Sequence, residues 1–269
     1  MNDLVSQATR AQAATFYGKY RGFVTNNADP NKVGRVRARV PSITGQVETA
    51  WALPCFPFGG LAQQSFFMVP EVGAQIWIEF EEGNLSHPVW TGTFLQGVAD
   101  ALTEVDTEPT ARLVKTPSGH MLYFQDKSGE ERVTLHHSAG AELLLDEKGS
   151  LAITDKNGAT LTIDANAGEI TMSDTNGNTL VMSSSGTKVT DSNGNSIDMA
   201  GSGITVRGQQ IVVDGQQVLL GGQGGEPLIK GQSFLSLFMT HIHPTGVGPS
   251  GPPIPQGEMT SLSTKVMSA

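Results

Sequence analysis

The stretch LAITDKNGATLTIDANAGEITMSDTNGNTLVM, Leu151–Met182, determines the fold class of this chain, because short apolar pairs alternate in it with tight turns. Each pair places two apolar residues two positions apart, and such residues point to the same face of a β-strand. Thr, Ser, Asp and Lys flank the pairs, so each strand is expected to have one buried face and one solvent-exposed face. The pairs are Leu151/Ile153, Leu161/Ile163, Ile170/Met172, Leu180/Met182, Ile197/Met199, Ile204/Val206, Ile211/Val213 and Val218/Leu220.

Turns of the form Asp-x-x-Gly lie between these strands and predict reversals of the chain. Three of them contain Asn-Gly, the dipeptide that most strongly favours a tight β-turn, at Asn157, Asn176 and Asn193. Calcium-binding β-rolls need a denser Gly-Asp repeat, so turn formation explains these aspartates better. The turns are Asp126–Gly129, Asp146–Gly149, Asp155–Gly158, Asp174–Gly177 and Asp191–Gly194.

The spacing of the apolar pairs shortens along the chain, from steps of 9 or 10 residues between positions 151 and 180 to steps of 7 between positions 197 and 218. A single-chain solenoid needs about 20 residues or more per coil, so repeats this short cannot cover a core alone. Three chains wound about one axis would each supply one wall of a prism. We therefore predict a tapering homotrimeric β-helix or β-prism needle, with an ordinary antiparallel meander or sandwich as the alternative.

Residues 16–97 show a different pattern, with short β-prone stretches separated by turn residues and one long middle loop. The clearest are Val33–Val40, which reads VGRVRARV, and Gln75–Phe80, which reads QIWIEF. About five strands in about 80 residues predict a small OB-fold-like barrel. Arg35, Arg37 and Arg39 predict a basic stripe on one barrel strand. No aromatic residue alternates with these arginines, so we expect a solvated or subunit-contact face rather than a platform for single-stranded nucleic acid.

The predicted organisation is all-β throughout. An N-terminal arm at 1–15 precedes the OB-fold-like barrel at 16–97, and a linker at 98–111 connects the barrel to a trimeric β-helical shaft at 112–232. A tip with C-terminal closure occupies 233–269. Phe234, Phe238 and His241 are spaced as on a helix, whereas a histidine pair two apart fits a strand, so both structures stay open for residues 230–240.

Composition and charge exclude several function classes. The chain has 17 basic and 26 acidic residues in 269, a net charge of −9 that disfavours binding to nucleic acid. Cys55 is the only cysteine, which excludes an intrachain disulfide and a thiolate zinc cage. We see no signal peptide and no apolar run of about 20 residues, so we expect a soluble chain made in the cytoplasm. No nucleophile elbow or paired carboxylates occur, so we do not expect an enzyme.

Several motifs follow one another in order through the barrel, and a glycine- and proline-rich stretch follows a His-x-His pair near the C-terminus. Together they resemble the baseplate assembly protein V family of contractile phage tails, which is related to the VgrG spikes of type VI secretion. The matching stretches are Gly22–Val24, Asp29–Pro30, Gly34–Pro41, Trp51 with Pro54, Pro70–Gly73, His87–Gly92, Thr240–Gly246 and Gly248–Pro253.

The resemblance implies a metal site at the tip, where a His-x-His pair from each of three chains binds one iron ion. In this sequence the pair is His241 and His243. Residues two apart in a strand place both imidazoles on one face. One chain supplies two nitrogens and a threefold axis makes six, a set that suits Fe(II), with Ni(II) or Co(II) as alternatives. Zinc prefers four ligands in structural sites and fits less well.

The resemblance further implies the central spike of a contractile tail or injection system, a membrane-piercing needle whose action is mechanical and whose location is the baseplate of the virion. Expected partners are two further copies of the chain, a separate hub protein at the end of the tail tube, a possible cap protein on the tip and the outer membrane that is pierced. The alternatives are an OB-fold module that binds carbohydrate or nucleic acid, and a tail-associated hydrolase.

Overall fold

A computed structural model describes residues 15–219 and 229–254, and the chain divides into two compact units, residues 1–172 and 173–269. The predicted arm lies almost wholly outside the described residues, as do positions 255–269 of the predicted tip. The described part is dominated by β-strands, which confirms the all-β fold class. The strands of the first unit are β1 (Tyr20–Asn26), β2 (Arg37–Arg39), β3 (Leu53–Pro54), β4 (Gln75–Phe80), β5 (Pro88–Thr93), β6 (Ala111–Lys115), β7 (Met121–Gln125), β8 (Arg132–His136), β9 (Glu142–Leu145), β10 (Leu151–Thr154), β11 (Thr160–Asp164) and β12 (Glu169–Ser173).

The first five strands form an OB-like curled sheet in the order β2-β1-β4-β5-β3. Neighbouring strands are antiparallel except β3, which runs parallel to β5. Alternation along β4 sends Ile76, Ile78 and Phe80 into the interior, and each buried isoleucine contributes about 1.5–3 kcal/mol to folding. The core consists of Val24, Val36, Ala38, Val40, Ala52, Ile76, Ile78, Phe80 and Trp90.

Strands β6 to β12 follow the barrel as an antiparallel sheet in which consecutive strands are neighbours. Tight turns connect them, and the short interstrand segments agree with the turn residues expected from the sequence. In this sheet only Tyr123, Gln125 and Thr134 are buried among the residues that the structure describes. The hydrophobic core of the first unit therefore lies in the barrel, and the sheet beyond it is a single layer.

The second unit repeats the same architecture with β13 (Thr179–Ser183), β14 (Gly186–Thr190), β15 (Ser196–Ala200) and β16 (Gly203–Arg207), all paired antiparallel. Gly186 begins β14 with φ 138°, and a Cβ there would lie 2.0 Å from the carbonyl oxygen of Met199. Only glycine permits so close an approach of the neighbouring strand. A helix, α1 (Gly231–Thr240), and a short hairpin of β17 (Pro244–Thr245) and β18 (Gly248–Pro249) complete the unit.

The apolar pairs Ile211/Val213 and Val218/Leu220 predict two more strands, and this prediction is wrong for the described residues. No strand occurs within 208–219, and Leu220 lies outside the described residues. Ile211 and Val213 are 52% and 69% exposed. An apolar pair at a spacing of two fits a half-buried strand, but it does not supply the neighbouring strand with which such a segment must pair.

Candidate functional site

The antiparallel sheet of the first unit carries one continuous apolar face. Residues directly opposite each other on paired strands share a face, so the register defines its membership. One row runs Val114, Leu122, Leu135, Leu143, Ile153 and Leu161, and a second runs Phe124, Val133, Leu145, Leu151 and Ile163. The two members of each predicted apolar pair therefore stand in neighbouring rows on the same side of the sheet.

The second unit shows the same two rows. The first contains Leu180, Val189, Ile197 and Val206, and the second contains Met182, Thr187, Met199 and Ile204. We call the rows of both units the apolar sheet face. In the single chain this face is open: Leu135 is 55% exposed, Val206 50% and Ile204 71%.

The opposite side of the sheet is more polar, although Tyr123, Leu144 and Val181 also lie on it. Lys188 and Asp198 stand opposite each other there, with their charged atoms 3.9 Å apart, and His136 faces Glu142 at 3.4 Å. Isolated soluble proteins rarely expose a contiguous apolar patch that runs the length of a sheet. The apolar sheet face is therefore an unusually long exposed apolar surface in the single chain.

Turns in both units use their aspartates for internal hydrogen bonds. Oδ1 of Asp155 accepts the backbone N–H groups of Asn157 and Ala159, both at 2.8 Å. Asp174 and Asp191 make the same pair of bonds to the residues two and four positions further on. Hydrogen bonds from the neighbouring asparagine side chains are the main cause that lowers the pKa of these last two carboxyl groups. The turn interpretation of the Asp-x-x-Gly series is confirmed.

The two candidate metal ligands lie just beyond α1. His241 leaves the helix in an extended conformation with φ −70° and ψ 146°, and the Nε2 atoms of His241 and His243 are 3.2 Å apart. Two nitrogens bound side by side to one ion lie about 3.0–3.4 Å apart when each metal–nitrogen bond is about 2.1 Å. The separation of the two imidazoles therefore fits a shared metal ion, and it equally fits a hydrogen bond between the two rings.

A hydrogen bond also sets the tautomer of His241, because its Nδ1 contacts the carbonyl oxygen of Phe238. A carbonyl oxygen only accepts, so in the neutral form of His241 this contact places the proton on Nδ1 and leaves the Nε2 lone pair for a metal. Metal-binding histidines commonly donate their second ring nitrogen to a carbonyl in this way. The hydrogen bond of His241 is thus compatible with a role of its Nε2 as a metal ligand.

Ser250 fixes the position of His243. The backbone N–H of His243 donates to Oγ of Ser250 at 2.8 Å, and the N–H of Ser250 donates to the His243 carbonyl at 2.7 Å. Sequence reasoning missed both Ser250 and Phe238. The three-residue spacing of Phe238 and His241 was visible, but a bond to a backbone carbonyl leaves no pattern in side-chain types.

One chain alone does not complete a metal site. Across residues 15–219 and 229–254, no group of three or more His, Cys, Asp or Glu side chains is arranged around a common point. His241 and His243 supply two nitrogens, whereas Fe(II), Ni(II) and Co(II) sites of octahedral type take six ligands. A metal site of this type built on the pair would therefore need further ligands beyond the described residues of one chain.

The arginines of the predicted basic stripe lie against aromatic rings from elsewhere in the barrel. The guanidinium carbons of Arg37 and Arg35 are 5.0 and 5.5 Å from the Trp51 ring, and that of Arg39 is 6.0 Å from the Phe23 ring. No aromatic residue alternates with these arginines along the strand, but the fold brings aromatic rings beside them from other segments. Alternation within one strand does not reveal the side chains that adjacent segments place beside it.

These contacts place guanidinium groups over the aromatic rings. The guanidinium groups occupy ring faces on which bases would stack, by cation–π contact. Arg35 also pairs with Asp29 at 2.7 Å, and Arg37 with Glu48 at 3.7 Å. The positive charge of both is thereby offset within the barrel.

The barrel and the sheet define a class of protein, an OB-domain chain extended by a long single-layer antiparallel sheet. Residues 20–95 match a family model described as the type VI secretion system/phage-baseplate injector OB domain. This match confirms the resemblance of the barrel to the baseplate assembly protein V family. The sheet and the tip lie outside the matched residues. A search of curated proteins found no match to the chain. None of the helices in the described ranges is long and apolar enough to cross a lipid bilayer.

Proposed function

We propose that the chain is the central spike of a contractile tail or related injection system and that it acts as a homotrimer. The barrel would form a threefold collar on the baseplate, and the sheet would form the shaft. Contraction would drive this shaft, tip first, through the target outer membrane. The injector OB domain at residues 20–95 supports the baseplate location.

The exposure of the apolar sheet face is the observation that supports the proposed trimer most strongly. It is two residues wide and runs across every paired strand from β6 to β11, and again from β13 to β16. A strip this narrow suits one wall of a slender prism, in which three strips meet on a common axis. Each wall would keep its polar side, with Lys188 and Asp198, towards solvent.

Closure of the prism supplies the stability that the single layer lacks. Burial of apolar surface contributes about 25 cal/mol per Å², and Leu135, Ile197 and Ile204 are at least 44% exposed in one chain. The antiparallel meander considered as an alternative to the needle is therefore compatible with it: each chain folds as a meander, and three meanders form the needle.

At the tip, His241 and His243 from three chains would hold one metal ion with six nitrogens, and iron is the metal we propose. Each chain contributes a preset pair, with Nε2 atoms 3.2 Å apart and the His241 tautomer set by Phe238. The ion would join three chain ends that otherwise fray. A filled coordination sphere leaves no position for a substrate, so we propose a structural role.

We propose a mechanical rather than catalytic role for the whole spike. The partners would be a hub protein that seats the collar and, at the tip, a cap protein. The competing proposals are an OB-fold module for carbohydrate or nucleic acid and a tail-associated hydrolase. Salt-dependent binding of oligonucleotides or peptidoglycan clearing would support these instead, and a trimeric native mass supports the spike.

A further inference from the structure

Helix α1 has a composition that does not suit a lone surface helix. Its sequence GQSFLSLFMT contains no charged residue and spans only ten residues. Isolated helices shorter than about 12–15 residues are marginal in water even with favourable sequences. Packing must therefore stabilise α1, and Leu235 is its only buried residue.

The side chains of α1 form three stripes, because successive residues are about 100° apart around a helix. Leu235 and Met239 form one stripe, which is the more buried side of the helix. Ser233, Ser236 and Thr240 form a polar stripe. The third stripe consists of Phe234, Leu237 and Phe238, which are 50%, 71% and 42% exposed. This third stripe is apolar and has no cover in the single chain.

A row of rings connects the apolar stripe to the histidine pair. The ring centroids of Phe234 and Phe238 are 6.1 Å apart, those of Phe238 and His241 are 5.0 Å apart, and those of His241 and His243 are 5.0 Å apart. The hydrogen bond from His241 to the Phe238 carbonyl ties the ligand to the last turn of the helix. The position of His241 is therefore coupled to the position of Phe238.

We propose that three copies of α1 form a three-helix bundle on the spike axis, directly behind the metal, with Phe234, Leu237 and Phe238 in its seam. This inference rests on the proposed trimer and on the metal ion proposed at its tip. Ligands from three chains meet at one ion only if the three copies of His241 converge, and this brings the C-terminal ends of the three helices together. The apolar stripe of each helix thus packs against the same stripe of the two other copies. The spike then changes from β-structure in the shaft to α-structure behind the tip.

Crosslinking at two adjacent positions tests the bundle. In a Cys55→Ser background, which removes the native exposed thiol, Leu237→Cys places a thiol in the seam and Ser236→Cys places one on the polar stripe. With a short bis-maleimide, the full-length Leu237→Cys protein is expected to give crosslinked dimers on a denaturing gel. The Ser236→Cys protein is expected to stay monomeric on that gel. Equal crosslinking at both positions overturns the bundle.

A charged residue introduced at position 236 or 237 gives a second test of the bundle. Leu237→Glu brings three carboxylates together in the seam, so the tip should lose bound iron, whereas Ser236→Glu should keep it. In a single chain Leu237 is 71% exposed and a glutamate there is harmless, so retention of iron by Leu237→Glu contradicts the bundle.

The native mass separates this inference from the proposed function. A monomeric wild-type protein overturns both. A trimeric wild-type protein with iron, combined with equal behaviour at positions 236 and 237, overturns only the bundle.

Discussion

The carboxylate of Asp29 accepts two hydrogen bonds from the guanidinium of Arg35, at 3.0 Å from Nε and 2.7 Å from Nη2. The same carboxylate accepts the backbone N–H groups of Asn31, Val33 and Arg35, so one side chain organises the whole loop between β1 and β2. The carboxylate is only 4% exposed. This network gives a physical reason for the Asp-Pro and Gly-Arg motifs by which the barrel resembles its family.

Replacement of Asp29 by Asn should destabilise the barrel. The change removes the charge that Arg35 faces in a largely buried pair, a loss of about 3 kcal/mol. Thermal unfolding followed by tryptophan fluorescence measures it, because Trp90 lies in the barrel core and donates a hydrogen bond to the Gly34 carbonyl. Asp106→Asn, at an exposed linker position, is the control and should leave the transition unchanged.

Acid should destabilise the protein through the same carboxylates. The Arg35 guanidinium beside Asp29 holds the pKa of that carboxyl well below its usual range, and backbone N–H donors lower the pKa of Asp146 and Asp155. A folded-state pKa below the unfolded value of about 3.9 gives stability that is complete above about pH 5 and is lost progressively as pH falls below it. We therefore expect the unfolding temperature to be flat from pH 7 to pH 5 and to drop towards pH 2. A rise in stability on acidification would contradict this assignment.

A carboxylate on the apolar sheet face should prevent trimer assembly. Ile197→Asp would place three charges in the dry interior of the prism, at a cost of several kcal/mol each. Ser196→Asp is the matched control, because Ser196 lies on the polar side opposite Arg207. Sedimentation should show dissociated Ile197→Asp chains and intact Ser196→Asp trimers. Since Ile197 is 44% exposed in a lone chain, equal behaviour of the two variants would remove the support for a closed prism.

Loss of one histidine should release the metal and spare the shaft. Elemental analysis of the wild-type protein is expected to find about one iron per three chains. His243→Ala leaves three of the six proposed ligands, so its iron should be absent or removed by brief chelation. Its mass should remain that of a trimer, because the apolar sheet face is unchanged. Iron at one ion per chain, or dissociation of the His243→Ala protein, contradicts the shared site.

Periodicity predicted the parts of the fold that depend on local rules. Leu151 and Ile153 were expected on one strand face, and the register places them there beside Leu145 and Leu143. The turn at Asp155 was also predicted, because Asp and Asn-Gly form tight turns by their own short-range hydrogen bonds. Residues whose structure depends on near neighbours in the chain were therefore predictable.

Features that depend on contacts between distant segments were not predictable in this way. Trp51 reaches Arg37 across the barrel, so reading one strand at a time missed the pair. Ile211 and Val213 have the pattern of a strand, yet they form none in the described chain, since a strand needs a partner as well as a pattern. For residues 230–240 the pattern allowed helix and strand, and the structure has a helix that ends directly before the histidine pair.

The mass of the purified native protein, measured by light scattering coupled to size-exclusion chromatography, tests the central claim most directly. Three chains of 28.4 kDa should give about 85 kDa, independent of dilution, because the apolar sheet face of each chain is buried only in the trimer. A monodisperse species at the mass of one chain, with the segment from β6 to β16 resistant to protease, would contradict the account.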